Sequence, residues 1–262
     1  MDHILSSLEN GLYISVSGLL PYIILAVFMQ MISKSLRTLF GDGVMGKIFV
    51  CLTAPGIIIH ELGHVVFCLI FGHKILHVKW FSPDNEGRLG YVDHSYNPKN
   101  YYHRTGNFFI GTGPVWFGVL VIFLLSWILL PSGMIGGSSE LKMMLINFFG
   151  GLFHKNFWCS WKTLLWFYFC FSIMSHITLS KADLEGAKDG VLLFLAANFL
   201  ISFIIGLSGH WTEWILKIEI GILLTLLMMM SVIVVFVAVP LFLFCAIRKK
   251  MTKPAPPAEK KV

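Results

Sequence analysis

His60, Glu61 and His64 form an H-E-x-x-H box inside the apolar run from Lys47 to Gly72. On a helix, positions i and i+4 share one face, about 6 Å apart along the axis. Two imidazoles so placed can reach one Zn²⁺, and the glutamate between them can act as general base on water at the metal. The flanks, Phe49 to Ile59 and Val65 to Phe71, are almost wholly apolar. A carboxylate and two imidazoles are costly in such surroundings, which makes them functional candidates. A catalytic zinc usually takes three protein ligands and keeps one open position, so a third ligand must come from elsewhere. His73 lies nine residues after His64, out of phase with the box. Asp183 is the best candidate, because Ala182, Gly186 and Ala187 beside it allow two helices to approach closely. Its competing role is that of a helix-end cap. Asp189 is a rival, as is His176, seven residues before Asp183 and on the same face if one helix carries both. His176 is alternatively a partner that orients a ligand.

The elements that must position these groups are membrane helices. Of the 262 residues, 56% are hydrophobic and 13% charged, against about 25% charged in soluble domains. Several apolar stretches approach or exceed the roughly 20 residues that span a bilayer. The sequence predicts an all-α polytopic membrane protein of about six transmembrane helices, with a small β-hairpin between the second and third. The spans run from about Gly11 to Ile32, Lys47 to Gly72, Asn107 to Leu130, Trp161 to Leu179, Val191 to Gly206 and Ile218 to Ile247. Leu141 to Leu152 has helical periodicity and suits an interfacial helix or, equally, a packed loop helix. Pro55-Gly56 is placed to kink or open the second span. Four parts follow: an N-terminal helix and linker (1–46), a core (47–205), a C-terminal helix region (206–247) and a basic disordered tail (248–262).

The net charge of +6 is not a nucleic-acid footprint, since six of the 20 basic residues lie in the tail, where they meet anionic headgroups. Placing both termini in the cytoplasm puts 13 Lys/Arg on that side and seven on the other, as the positive-inside rule favours. No removable signal peptide is expected at Met1 to Asn10. The five cysteines are scattered singly, so neither a disulfide framework nor a thiolate zinc site is indicated.

Between the second and third spans the period changes. Leu76, Val78 and Trp80 alternate with His77 and Lys79, residues 82–87 read as a turn, and Arg88 to His94 returns. This is a hairpin pattern over 74–94. It reads either as an ordinary extramembrane loop hairpin or, functionally, as an edge strand that holds a substrate segment extended, with Leu76, Val78 and Trp80 as the positioning residues. Asn107, Gly113 and Pro114 open the next span as further positioning candidates. Gly113 permits close helix packing and Pro114 frees a backbone carbonyl.

The box in a membrane helix, the following strand pair, Gly113-Pro114 and an Asp-containing segment further on together resemble the site-2-protease-like intramembrane zinc metalloproteases. The likeness covers about residues 47 to 205 and is closest to minimal, divergent bacterial members. It implies a multi-pass protein of the bacterial cytoplasmic membrane, with one Zn²⁺ per chain near the cytoplasmic side. Its substrates would be transmembrane proteins within the bilayer. His60, His64 and Asp183 would be zinc ligands and Glu61 the base. The chain departs from the family in reading Ala182-Asp183-Leu184 where Leu-Asp-Gly is usual, with Asp189-Gly190 a rival. It also departs in Gly113-Pro114-Val115-Trp116-Phe117, which lacks the usual nearby Asn unless Asn107 substitutes.

Two other classes compete. His60–His64 and His73–His77 make two H-x-x-x-H pairs, as in di-iron membrane oxidases and hydroxylases, although no His-His pair accompanies them. The other is a non-catalytic scaffold or transporter, against which stands Glu61, since neither zinc binding nor packing requires it.

Overall fold

A computed structural model describes residues 43–83, 88–135 and 141–208, together with scattered residues between 9 and 40. Most of the first expected span, the hairpin tip at 84–87, the span from Ile218 to Ile247 and the basic tail lie outside the described residues. The chain is mostly helical. In order come α1 (Val44–Leu52), α2 (Ala54–Ile70), β1 (Lys74–Lys79), β2 (Tyr91–Ser95), α3 (Tyr101–Leu129) and α4 (Ser132–Ile135). Then follow α5 (Leu141–Leu152), α6 (Lys155–Trp158), α7 (Trp161–His176) and α8 (Lys181–Ser208). Among the described residues, α3 and the Lys181–Ile204 part of α8 are long and apolar enough to cross a membrane. The pair α1 and α2 makes a third such stretch, bent by 60°.

That bend interrupts the expected second span at Thr53. Pro55 has no N–H to give and would clash with the carbonyl four residues back, so a new helix starts with proline in its first turn. A second break means that His176 and Asp183 do not share one helix face: α7 ends at His176 and α8 starts at Lys181. Ser180 and Asp183 cause the restart by reciprocal capping. The Ser180 N–H donates to Asp183 Oδ2 at 2.6 Å, and the Asp183 N–H donates to Ser180 Oγ at 3.1 Å.

The helices meet through glycines. A Cβ on Gly56 would run into the Ser172 backbone of α7, and one on Gly63 would lie 2.9 Å from Pro114 Cα of α3. A Cβ on Gly111 would lie 2.8 Å from Ala187 Cβ of α8. Close backbones let short side chains from different helices converge. The core beside these crossings includes Ile122 of α3 with Trp166, Cys170 and Ile173 of α7, all fully buried. Trp166 Nε1 donates to Ser126 Oγ at 2.7 Å, so its polar edge is satisfied inside the core.

The hairpin is antiparallel, with Val78 opposite Val92 and Lys79 opposite Tyr91. Its register shifts between Ile75 and His77, which leaves Leu76 as the extra residue. A bulge of this kind moves the alternation by one position. Ile75 and Val78 are therefore the half-buried residues of β1, and Leu76 and Trp80 are exposed. The expected shared face of Leu76, Val78 and Trp80 does not form.

Candidate metal centre

His60 and His64 lie one turn apart on α2, and Asp183 lies in the first turn of α8. Their donor atoms all stand within 4.8 Å of one another. The two Nε2 atoms are 3.3 Å apart, His64 Nε2 is 3.3 Å from Asp183 Oδ1, and His60 Nε2 is 3.9 Å from Asp183 Oδ2. Donors held 2.0–2.1 Å from a tetrahedral zinc sit about 3.3 Å apart, so the spacing suits such an ion.

The proton positions fit the same reading. His60 Nδ1–H donates to the His176 carbonyl at 2.8 Å, and His64 Nδ1–H donates to the Ile110 carbonyl at 2.7 Å. A carbonyl only accepts, so in each neutral ring Nε2 is left with a lone pair. Two lone pairs and a carboxylate face one another, and a cation satisfies all three. The accepting carbonyls are ones that helices leave available. His176 is the last residue of α7. Ile110 stands four residues before Pro114, which has no N–H to bond it. Pro114 thus acts on the site through His64, and Gly113 through the crossing with Gly63.

Glu61 is 5% exposed and faces the hairpin. A Cβ on Gly90 would lie 2.8 Å from Glu61 Oε1, so the chain before β2 passes against the carboxylate. A cavity of about 690 Å³ opens here, lined by His60, Glu61, His64, Asp183 and the buried Asn107. Residues 88–94 line it without a gap. Side chains of a strand alternate between faces, so an unbroken run means that the strand edge fronts the cavity. The wall is β2. Leu76, Val78 and Trp80, expected to position substrate, do not line it, because their strand lies on the far side of β2.

Other candidates separate. The His176 ring meets Thr53 Oγ1 at 2.7 Å, while its carbonyl holds His60. His176 thus orients His60 and stands outside the donor group. Asp189 accepts from Tyr96 Oη at 3.0 Å and is likewise outside it. The capping role expected of Asp183 is also present, since Oδ2 takes the Ser180 N–H while Oδ1 faces His64. His77 is exposed on β1 and belongs to neither metal-type group found among the described residues. Outside the helices, burial lowers the His73 imidazole below its ordinary value. His94, on the cavity wall, is lowered by burial first and then by the neighbouring His73 and His64.

Sequence reasoning missed Gly90, and it missed that the carbonyl freed by Pro114, that of Ile110, would be taken by His64. A glycine next to a strand pattern signals close backbone approach, and a proline in a helix points to the carbonyl four residues earlier. Compared with protein-family models, with curated proteins and with solved structures, the chain matches none.

Proposed function

We propose that this chain is a membrane-embedded zinc metalloprotease that hydrolyses peptide bonds in or near transmembrane segments of membrane proteins. The observation that carries this reading is the convergence of His60, His64 and Asp183 beside the buried carboxylate of Glu61. The resemblance of the box, hairpin and Gly113-Pro114 to site-2-protease-like enzymes supports it. So does the occurrence of helices long and apolar enough to cross a membrane. In this reading six helices cross the bacterial cytoplasmic membrane, and both termini are cytoplasmic.

Zinc, when bound, supplies a polarising charge for the scissile carbonyl and acidifies water. Glu61 takes the water's proton and passes it to the leaving amine. His176 and Ile110 hold the two imidazoles in the tautomer that ligation needs. A helical substrate hides its carbonyls in its own hydrogen bonds, so it must unwind locally before attack. The cavity-facing edge of β2 offers backbone groups to an unwound segment and holds it extended.

The test uses the full chain in detergent with a model transmembrane substrate. Glu61→Gln is expected to keep the wild-type metal content while cleavage falls by about 10²–10⁴-fold. His64→Ala and Asp183→Ala are each expected to lose one metal equivalent and all cleavage. Undiminished cleavage by Glu61→Gln would end this reading.

A further inference from the structure

We infer that Cys68, His73 and His94 form a second metal site, separate from the His60–His64–Asp183 centre, which clips the hairpin to the end of α2. One donor atom from each of the three lies within 4.8 Å of the others. They come from three different places: the last turn of α2, the link after it, and β2.

The local chain explains the meeting. Gly72 has φ +68°, open to glycine without strain. Its N–H donates to the Leu69 carbonyl at 3.3 Å, and the His73 N–H donates to the Cys68 carbonyl at 2.8 Å. This is a Schellman ending, which folds the residue after the glycine back over the last helical turn. His73 is thereby set against Cys68. His73 Nε2–H then donates to the His103 carbonyl at 2.9 Å, so Nδ1 carries the lone pair. That atom faces His94 Nδ1 at 3.0 Å. The arrangement repeats that of the first centre, with the outer nitrogen bonded to a carbonyl and the inner one aimed at a second donor.

A hydrogen bond between the two rings would account for the imidazoles alone. It gives no role to the third donor, the Cys68 sulfur, whose residue is fully buried. One sulfur and two imidazoles suit a zinc ion and do not suit magnesium or calcium. Binding forms one Zn–S and two Zn–N bonds and releases the thiol proton to solvent. Three protein donors leave one tetrahedral position for water. Such a clip fixes β2, and with it the cavity wall against Glu61, to the helix that carries the box.

Cobalt substitution tests the site by a readout independent of proteolysis. The first centre has only nitrogen and oxygen donors, so a thiolate-to-cobalt charge-transfer band can arise only from a cysteine. Full-length protein stripped of metal and titrated with Co²⁺ is expected to bind two equivalents and to develop that band in the near ultraviolet. Cys68→Ser is expected to lose the band and one equivalent, whereas His60→Ala loses one equivalent and keeps the band. Failure of the protease reading therefore leaves this result intact. A variant with the other four of the five cysteines changed to serine must keep the band, which decides the matter even if Cys68→Ser does not fold. A single equivalent without the band in the wild type, or a band that survives Cys68→Ser, overturns the proposal.

Discussion

His60 and His64 owe their spacing to a single helix, and Asp183 reaches them because three helix crossings are closed down to backbone contact at Gly56, Gly63 and Gly111. Cys68, His73 and His94 meet by another route, in which a glycine turn reverses the chain and a strand returns beside it. In the first group, precision comes from packing between distant segments. In the second, two of the three donors are set by local hydrogen bonds. The first group should therefore be sensitive to changes several residues away, at the crossings with helices that carry none of its donors. The second should be sensitive mainly to its own turn.

The largest effect is expected from Gly56→Ala. Its methyl group would overlap the Ser172 backbone and lie 2.9 Å from Ile173 N. Backbone cannot swing aside as a flexible side chain can, so α7 must shift. Overpacking of this kind costs about 1–3 kcal/mol. The shift also moves the His176 carbonyl, on which the tautomer of His60 depends. Loss of thermal stability together with loss of metal from the first centre is expected, with the cobalt–thiolate band retained. Gly150→Ala is the control, since nothing lies within 4 Å of the added methyl on α5 and alanine is favoured there by about 0.5–1 kcal/mol. Equal behaviour of the two variants would show that the crossings do not hold the first centre.

The same contrast decides what could be read from the sequence. The i, i+4 box needed only helical periodicity, and the apolar flanks supplied it. Asp183 could be ranked over Asp189 from its small neighbours, but their separation in space follows from where α8 starts, which Ser180 determines by capping. The sequence places the end of the fourth span within three residues of His176, but the next helix only from Val191, whereas α8 starts at Lys181. The bulge at Leu76 was not legible, since one extra residue in a strand leaves no mark on composition. It broke the expected shared face of Leu76, Val78 and Trp80, and the choice of the first strand over β2 as the cavity wall was a separate miss. The Cys68–His73–His94 group was hidden for a third reason. Its donors follow no single periodicity, and the one local clue was Gly72 between Cys68 and His73.

Pro114→Ala gives an intermediate effect whose signs are opposed. Proline inside a helix costs about 3 kcal/mol relative to alanine, so the variant should be no less stable than the wild type. Alanine restores an N–H that bonds the Ile110 carbonyl and draws it back toward the helix axis. His64 then loses the acceptor that holds its Nδ1–H. Removing such an outer partner typically lowers metal affinity by about 10–100-fold. Competition with a chelator, run beside thermal unfolding, measures both quantities. An unchanged affinity would mean that His64 is oriented by something other than this carbonyl.

The smallest effect is expected at His77, and it separates sequence spacing from spatial spacing. His73 and His77 repeat the interval of His60 and His64. On a helix that interval brings two rings to about 6 Å along the axis; along a strand, four residues extend for about 13 Å. β1 begins at Lys74, so His73 and His77 lie along extended chain, and His77 pairs with Asp93 on the exposed hairpin. His77→Ala should therefore change stability by no more than about 0.5 kcal/mol and leave both metal equivalents and the thiolate band in place. If it instead removed an equivalent, the two histidine pairs would be working as two boxes. A di-iron oxidase would then account for the chain better than a protease, while the thiolate band would still report separately whether Cys68 takes part.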